Sequence, residues 1–144
     1  MDIMSTEKRS ALMSRIRGRD TGIERSVQAM LHELGLHHDA QVRELPGTPD
    51  FVLTDARVAV FVDGDFWHGW RYPAWKHKLS PEWRTKIAAN RRRDRNNHAR
   101  LRRRGWVVLR IWEHDIKKRP DWCKGLIARV AACPASRATD RPAP

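Results

Sequence analysis

Between Pro46 and His68 the chain has few ways to fold. Two apolar runs, Phe51-Val52-Leu53 and Val58-Ala59-Val60-Phe61-Val62, flank the polar stretch Thr54-Asp55-Ala56-Arg57. Short apolar runs separated by turn residues form a hairpin. Asp50 opens the first run, and Asp63 and Asp65 close the second. Antiparallel pairing sets the start of one strand beside the end of the other. The three carboxylates therefore converge at one sheet edge, with His68 just beyond. A cluster of this kind suits a divalent-metal site for cutting nucleic acid.

Elements on both sides extend this edge into a fold. Ile23, Val27, Met30, Leu31 and Leu34 recur at helical spacing from Asp20 or Thr21 to Gly35. Thr21 and Glu24 have capping-box spacing. Glu24 lies on the margin of the apolar stripe, so it either caps the helix or supports a metal at one remove. A basic helix from Ser5 or Thr6 to Ile16 precedes it, carrying Lys8, Arg9 and Arg15. Residues 40–45 are expected to form a short strand. From Gly69 to Leu79 there is no period, and Trp70, Arg71, Tyr72, Trp75, Lys76, His77 and Lys78 form a basic-aromatic loop suited to stacking on bases and contacting phosphates.

Ser80-Pro81-Glu82 starts a helix that should run to Arg104 and stop at Gly105. Trp83, Ile87, Asn90, Asp94, Asn97, His98 and Leu101 fall on one arc of about 100°. Arg91, Arg92 and Arg95 fall outside it with the other arginines. As an isolated feature that run is a solvated face; beside a metal-type site it contacts backbone phosphates. An inward Asp94 needs a partner, His68 or a neighbouring arginine. Trp106 to Trp112 alternates as a strand, and Glu113-His114-Asp115 lies at its end. A last helix, Pro120 to Ala132, is expected to pack Trp122, Leu126, Ile127 and Val130 on the sheet. The order predicts an α/β fold, a small mixed β-sheet flanked by helices.

A formal charge of +12 on 144 residues, with a pI near 11.0, points to a polyanionic partner. We expect one domain over residues 1–133 and a disordered tail over 134–144. Cys123 and Cys133 have no metal-ligand spacing and read as buried thiols. No apolar run approaches the roughly 20 residues of a membrane span, and no apolar leader opens the chain. A monomeric cytoplasmic, nucleoid-associated protein is expected.

Phosphodiester hydrolysis needs a nucleophilic water, charge relief on the phosphate and a proton for the leaving oxygen. One or two Mg²⁺ ions supply the first two. Asp50 is the first candidate ligand, with a backbone carbonyl near Val62 and the Asp63 carboxylate beside it. His68 titrates near neutrality and suits proton transfer.

At these residues the chain resembles the very short patch repair (Vsr) endonucleases, a branch of the PD-(D/E)xK restriction-endonuclease-like fold. The similarity runs from about Arg9 to Glu113. It is carried by Arg9-Ser10-Ala11-Leu12-Met13-Ser14-Arg15-Ile16-Arg17, Asp20-Thr21-Gly22-Ile23-Glu24 and Leu45-Pro46-Gly47-Thr48-Pro49-Asp50-Phe51. It continues through Phe61-Val62-Asp63-Gly64, Phe66-Trp67-His68, Trp83, Lys86-Ile87, Asn90, Arg93-Asp94, Gly105-Trp106 and Trp112-Glu113.

The resemblance implies a Mg²⁺-dependent nick in duplex DNA, 5′ to the thymine of a T·G mismatch, in the repair of deaminated 5-methylcytosine. It implies Asp50 as central metal ligand, His68 as proton carrier, and Glu24 and Asp94 as supports. It casts Phe66, Trp67 and Trp83 as rings that wedge into the duplex beside the mismatch; packing in the core is the alternative for all three. Many members hold a structural zinc at places where this chain has Asp65, Trp70, Tyr72 and His114. Those residues make a poor zinc set, so no structural zinc is expected, and packing of Trp70, Tyr72 and Trp75 should hold the loop. The pattern's lysine is absent after Asp63, as it is in this branch. Asp65 is accordingly set aside as a catalytic residue. Two alternatives stand beside the mismatch nuclease: a related nuclease with another lesion or sequence target, and a non-catalytic DNA-binding module. Repair proteins are further partners that the sequence leaves unnamed.

Overall fold

The computed structural model describes residues 21–132. The expected helix from Ser5 or Thr6 to Ile16, the Thr21 side chain, Cys133 and the expected tail 134–144 lie outside the described residues.

Helix α1 (Thr21–Glu33) is followed by strands β1 (Asp39–Ala40), β2 (Phe51–Leu53) and β3 (Val58–Asp63). Then come short helix α2 (Tyr72–Trp75), a 3₁₀ turn (Lys76–Lys78) and long helix α3 (Pro81–Arg103). Strand β4 (Val107–Trp112) and helices α4 (Glu113–Lys118) and α5 (Pro120–Ala131) complete the described chain. The four strands form one mixed sheet in the order β1-β2-β3-β4, with helices against it. β1–β2 and β2–β3 are antiparallel, and β3–β4 is parallel. The expected hairpin is β2–β3, with Phe51 opposite Val60 and Leu53 opposite Val58. The parallel pair needs a long crossover, and α3 is that crossover.

Strand alternation assigns the faces. Val58, Val60 and Val62 join Leu109 and Ile111 on one face, packed against Ile23, Val27 and Leu31 of α1 and Cys123 and Ile127 of α5. Fully burying an aliphatic side chain of this size contributes about 1.5–3 kcal/mol, so this face carries most of the stability. The opposite face holds Ala59, Phe61 and Val108 against Leu101 of α3. Asp63, Arg110 and Trp112 continue that second face, which turns polar at the C-terminal ends of the parallel strands.

Helix α3 matches its sequence signals. The Ser80 hydroxyl accepts the Trp83 amide at 3.4 Å, and Pro81 begins the helix. At the far end, Gly105 adopts φ +86, its amide bonds the Arg102 carbonyl, and the Trp106 amide bonds the Leu101 carbonyl. This closes the last turn in the left-handed geometry that glycine adopts without cost. Ile87, Asn90, His98 and Leu101 are buried on the inward arc.

Three local expectations change, and one segment gains a helix. The strand expected over 40–45 is only Asp39–Ala40: Gln41 takes φ +53, leaving the extended region and ending the strand. The segment Gly69–Leu79 is not all loop, because Pro73 near the start of α2 has a backbone preset for a helical turn. Glu113-His114-Asp115 lies at the end of β4 as expected and there opens α4, with Lys117 bonded to Glu113 and Arg119 to Asp115. Trp122 does not pack on the sheet. It is 42% exposed beneath the Arg119 guanidinium, 3.9 Å from the ring centre. Cys123 and Ile127, four residues apart, take the inner stripe of α5 instead.

Candidate active site

The hairpin register puts Asp50 beside the end of β3. Its Oδ2 accepts the Val62 amide at 2.7 Å, and its Oδ1 accepts Gln41 Nε2 at 3.3 Å. The same Gln41 amide reaches Glu24 Oε1 at 3.5 Å. Glu24 comes from the first turn of α1 and hydrogen-bonds the Asp50 carboxyl. Burial pushes the Asp50 carboxyl above its usual value near 3.8, and the charge of Asp63 adds to this; the bonds from Glu24, Val62 and Gln41 pull the other way without cancelling it.

The Val62 carbonyl is a further candidate oxygen. Continuing the β2–β3 register beyond Phe51–Val60 sets Pro49 opposite Val62. Proline has no amide hydrogen, so the ladder brings no donor to the Val62 carbonyl. In an antiparallel pair a residue's N–H and C=O point to the same neighbour. The Val62 carbonyl therefore turns to the side where its amide meets Asp50.

A second constellation lies one residue further along β3. Asp63 is 2% exposed. Arg110 Nε donates to Asp63 Oδ2 at 2.6 Å, and Arg110 Nη2 donates to Asp94 Oδ2 at 3.2 Å. His68 Nδ1 lies 2.7 Å from Asp94 Oδ2, and His68 Nε2 faces Asp63 Oδ1 at 3.5 Å. Burial alone would lower the His68 pKa. The hydrogen bond to Asp94 and the charges of Asp63 and Asp94 outweigh burial and the opposing charge of Arg110, and the net shift is upward from 6.5. His68 therefore keeps its proton more readily than an ordinary histidine. Asp94 takes both of the expected partners, His68 and an arginine.

Helix α3 also anchors the segment that presents His68. Asn90 Nδ2 donates to the Trp67 carbonyl at 3.0 Å. Gly69, at φ +70, sits so close to α3 that a β-carbon there would stand 2.7 Å from Arg91 Cδ and 3.0 Å from Ile87 Cγ2. Beside His68 opens a cleft of about 290 Å³ lined by Gly69, Trp70, Arg71, Arg91, Arg95, Arg110 and Trp112. Arg91 and Arg95, expected on a phosphate-facing surface, line it. Arg92, expected with them, is exposed but does not: one step along the helix turns it about 100° away from Arg91.

Phe66, Trp67 and Trp83 form a single aromatic unit. Phe66 stacks on Trp75 at 5.5 Å and meets Trp83 edge-on at 5.8 Å, and Trp67 meets Trp83 edge-on at 6.5 Å. All three rings are half-buried against Tyr72, Leu79 and Ile87. Asp65 stands apart from the other acids, bonding His114 Nδ1 at 2.7 Å.

Two members of the site carried little signal in the sequence. Arg110 is a lone cation inside the apolar run Val107-Val108-Leu109-Arg110-Ile111-Trp112, an anomaly that marks it in hindsight. Gln41 lies in the stretch expected to be a strand, and nothing local announces its bridge between Glu24 and Asp50.

Residues 1–73 match the family model described as DNA mismatch endonuclease Vsr. The type II nicking enzyme V.XorIIP of Xanthomonas oryzae pv. oryzae is 37% identical over 117 residues, covering 80% of this chain and 86% of the relative. The DNA mismatch endonuclease Vsr of Escherichia coli is 37% identical over 123 residues, covering 82% and 77%. The type II nicking enzyme V.NmeDIP of Neisseria meningitidis serogroup C is 36% identical over 126 residues, covering 85% of each. The chain belongs to the Vsr family. In this Vsr-family chain the segment after the hairpin is tied down by side chains throughout. The Trp70 ring lies 3.9 Å from that of His114, Trp75 Nε1 donates to the Trp70 carbonyl at 2.8 Å, and the Tyr72 hydroxyl donates to the Arg84 carbonyl at 3.1 Å.

Among the described residues, no three His, Cys, Asp or Glu side chains gather as a metal cage. Mg²⁺ asks for less, since it keeps several waters and binds through one or two carboxylates and carbonyl oxygens. Asp50, hydrogen-bonded to Glu24 and held off its normal ionisation, is a carboxyl pair that needs either a proton or a cation. The donor set fits the ion.

Proposed function

We propose that this protein is a Mg²⁺-dependent endonuclease that nicks one strand of duplex DNA, 5′ to the thymine of a T·G mismatch. One observation carries the proposal: the Asp50–Glu24 pair and the His68–Asp94 pair meet at the end of β3, beside an arginine-lined cleft. The Escherichia coli relative bears the mismatch-endonuclease name, and the T·G target is what the resemblance of the sequence motifs to the family implies.

In this proposal Asp50 and the Val62 carbonyl hold the ion, with Glu24 behind Asp50. Asp63, expected among the ligands, turns its oxygens to Arg110 and His68 and positions them instead. Bound there, Mg²⁺ supplies charge relief at the phosphate and a more acidic water. His68, kept protonated by Asp94 and Asp63, delivers its Nε2 proton to the departing 3′ oxygen. Asp94 fixes the imidazole through Nδ1, and Asn90 fixes the backbone just before it. Arg91 and Arg95 hold the backbone phosphates along α3. Phe66, Trp67 and Trp83 open the base step at the mismatch, where unstacking costs least.

A second target is favoured by a specific observation. Other relatives carry the name of type II nicking enzymes, and the loop bearing Phe66 and Trp67 is fastened through Asp65–His114 and Trp70. A sequence-directed nick on the same chemistry is the alternative.

The test is nicking of a labelled T·G duplex with Mg²⁺ and with EDTA, using wild type and Asp50→Ala. Strand-specific cleavage in Mg²⁺, lost in EDTA and in the variant, supports the reading. Cleavage that survives Asp50→Ala contradicts it.

A further inference from the structure

Arg110 touches no substrate group in the mechanism above. Arg110 rises from the middle of β4 onto the polar end of the second sheet face. Its Nε and Nη2 are spent on Asp63 and Asp94, at 2.6 and 3.2 Å. Its Nη1 makes no hydrogen bond among the described residues, while the side chain remains 27% exposed and lines the cleft with His68, Arg91 and Arg95. The guanidinium carbon lies 4.4 Å from the centre of the Trp112 ring, which supports one face of the plane. The group is fixed by two acids and a ring, and it lines the cleft with N–H donors left over. A fixed, planar cation with spare N–H donors is the form that recognises phosphate oxygens.

We propose that Arg110 contacts a non-bridging oxygen of the scissile phosphate. Charge accumulates on those oxygens as the phosphodiester is attacked, and a preoriented donor stabilises it without reorganising. Asp63 and Asp94 thus do two jobs, each holding His68 on one side and Arg110 on the other. The inference rests on the nicking activity proposed above.

Two variants test it. Arg110→Gln removes the charge but keeps a donor for buried Asp63; Arg110→Lys keeps the charge and loses the fork. Binding of the T·G duplex is measured in EDTA across salt concentrations, where a phosphate-contacting cation contributes about one unit to the log–log slope. Arg110→Gln should lower that slope by about one, and Arg110→Lys should leave it unchanged. Single-turnover nicking should fall about 10²–10³-fold in Arg110→Gln and recover only partly in Arg110→Lys. With Rp and Sp phosphorothioates at the scissile position, wild type should be slowed on one isomer in a way Mn²⁺ does not restore. Both variants should lose that selectivity.

Folded variants with wild-type salt slope and wild-type phosphorothioate selectivity overturn the assignment of Arg110, even if their rates are reduced. Failure of wild type to nick any duplex is a different result: it sinks the nuclease reading, and this inference with it. Wild-type nicking with unaltered Arg110 variants sinks this inference alone.

Discussion

His68 Nδ1 stands 2.7 Å from Asp94 Oδ2, and this bond sets when His68 carries a proton. The pKa of His68 is raised above 6.5 because Asp94 and Asp63 outweigh its burial and Arg110. A proton donor with a raised pKa is active below that pKa, so nicking should decline as pH rises through it. Asp94→Asn removes the charge and weakens the bond. The alkaline limb of the single-turnover profile should then move to lower pH, and the rate at neutral pH should fall about 10²-fold. An unmoved limb would separate Asp94 from the proton transfer.

Asp50 should trade stability for function. Its raised pKa means that the folded state disfavours the carboxylate. The stability this acid contributes is present below 3.8 and lost as pH rises through the folded value. In metal-free buffer at neutral pH, Asp50→Asn should therefore unfold at a higher temperature than wild type, while nicking no DNA. Added Mg²⁺ should raise the midpoint of wild type and leave that of the variant in place. Equal Mg²⁺ shifts in the two proteins would remove Asp50 from the ion.

Gly69 is fixed by contact as well as by backbone angle. A β-carbon there meets Arg91 and Ile87 at 2.7–3.0 Å, at φ +70. Gly69→Ala should cost at least about 1 kcal/mol in denaturant unfolding. The displacement falls on the residue next to His68, so the nicking rate should drop beyond what the loss of folded protein explains. Full activity per folded molecule would show that this contact positions nothing.

His98 gives the fold an acid limit apart from the proposed metal. It is buried against Phe61, with ring centres 4.7 Å apart. Burial, with the charge of Arg110, lowers its pKa below 6.5. A histidine with a depressed folded value takes up its proton more readily when unfolded. Stability should therefore fall as pH drops below about 6.5. His98→Leu should flatten this part of the stability profile, measured by denaturant midpoints between pH 7 and pH 5. The same slope in the variant would place the effect elsewhere.

Much of the site is legible in the sequence, because it rests on periodicity and local order. The hairpin fixes Asp50 beside Val62 through register alone, and the arc on α3 selects Asn90 and Asp94 as inward residues. Other parts depend on packing that no local pattern encodes. Gln41 bridges two acids from a backbone conformation that an extended stretch does not forecast. Arg110 gains its meaning only when β4 lies parallel to β3, which sets its side chain near that of Asp63. Trp122 shows the limit of hydrophobicity as a guide: a large ring on an amphipathic helix was expected inside, yet Cys123 fits the inner stripe and the ring lies under Arg119. Asp65 bonds His114, which gives it a place in the loop.

In the proposed function, target choice depends on the aromatic unit of Phe66, Trp67 and Trp83. The direct measurement is a strand-resolved cleavage rate in Mg²⁺ over a panel of duplexes that carry each mismatch, or none, in varied flanking sequence. We predict a single nick 5′ to the thymine of T·G, at least about 100-fold faster than on paired DNA, with Trp67→Ala losing much of that ratio. Equal rates on matched and mismatched duplexes, or no cleavage of any mismatched duplex, would contradict it.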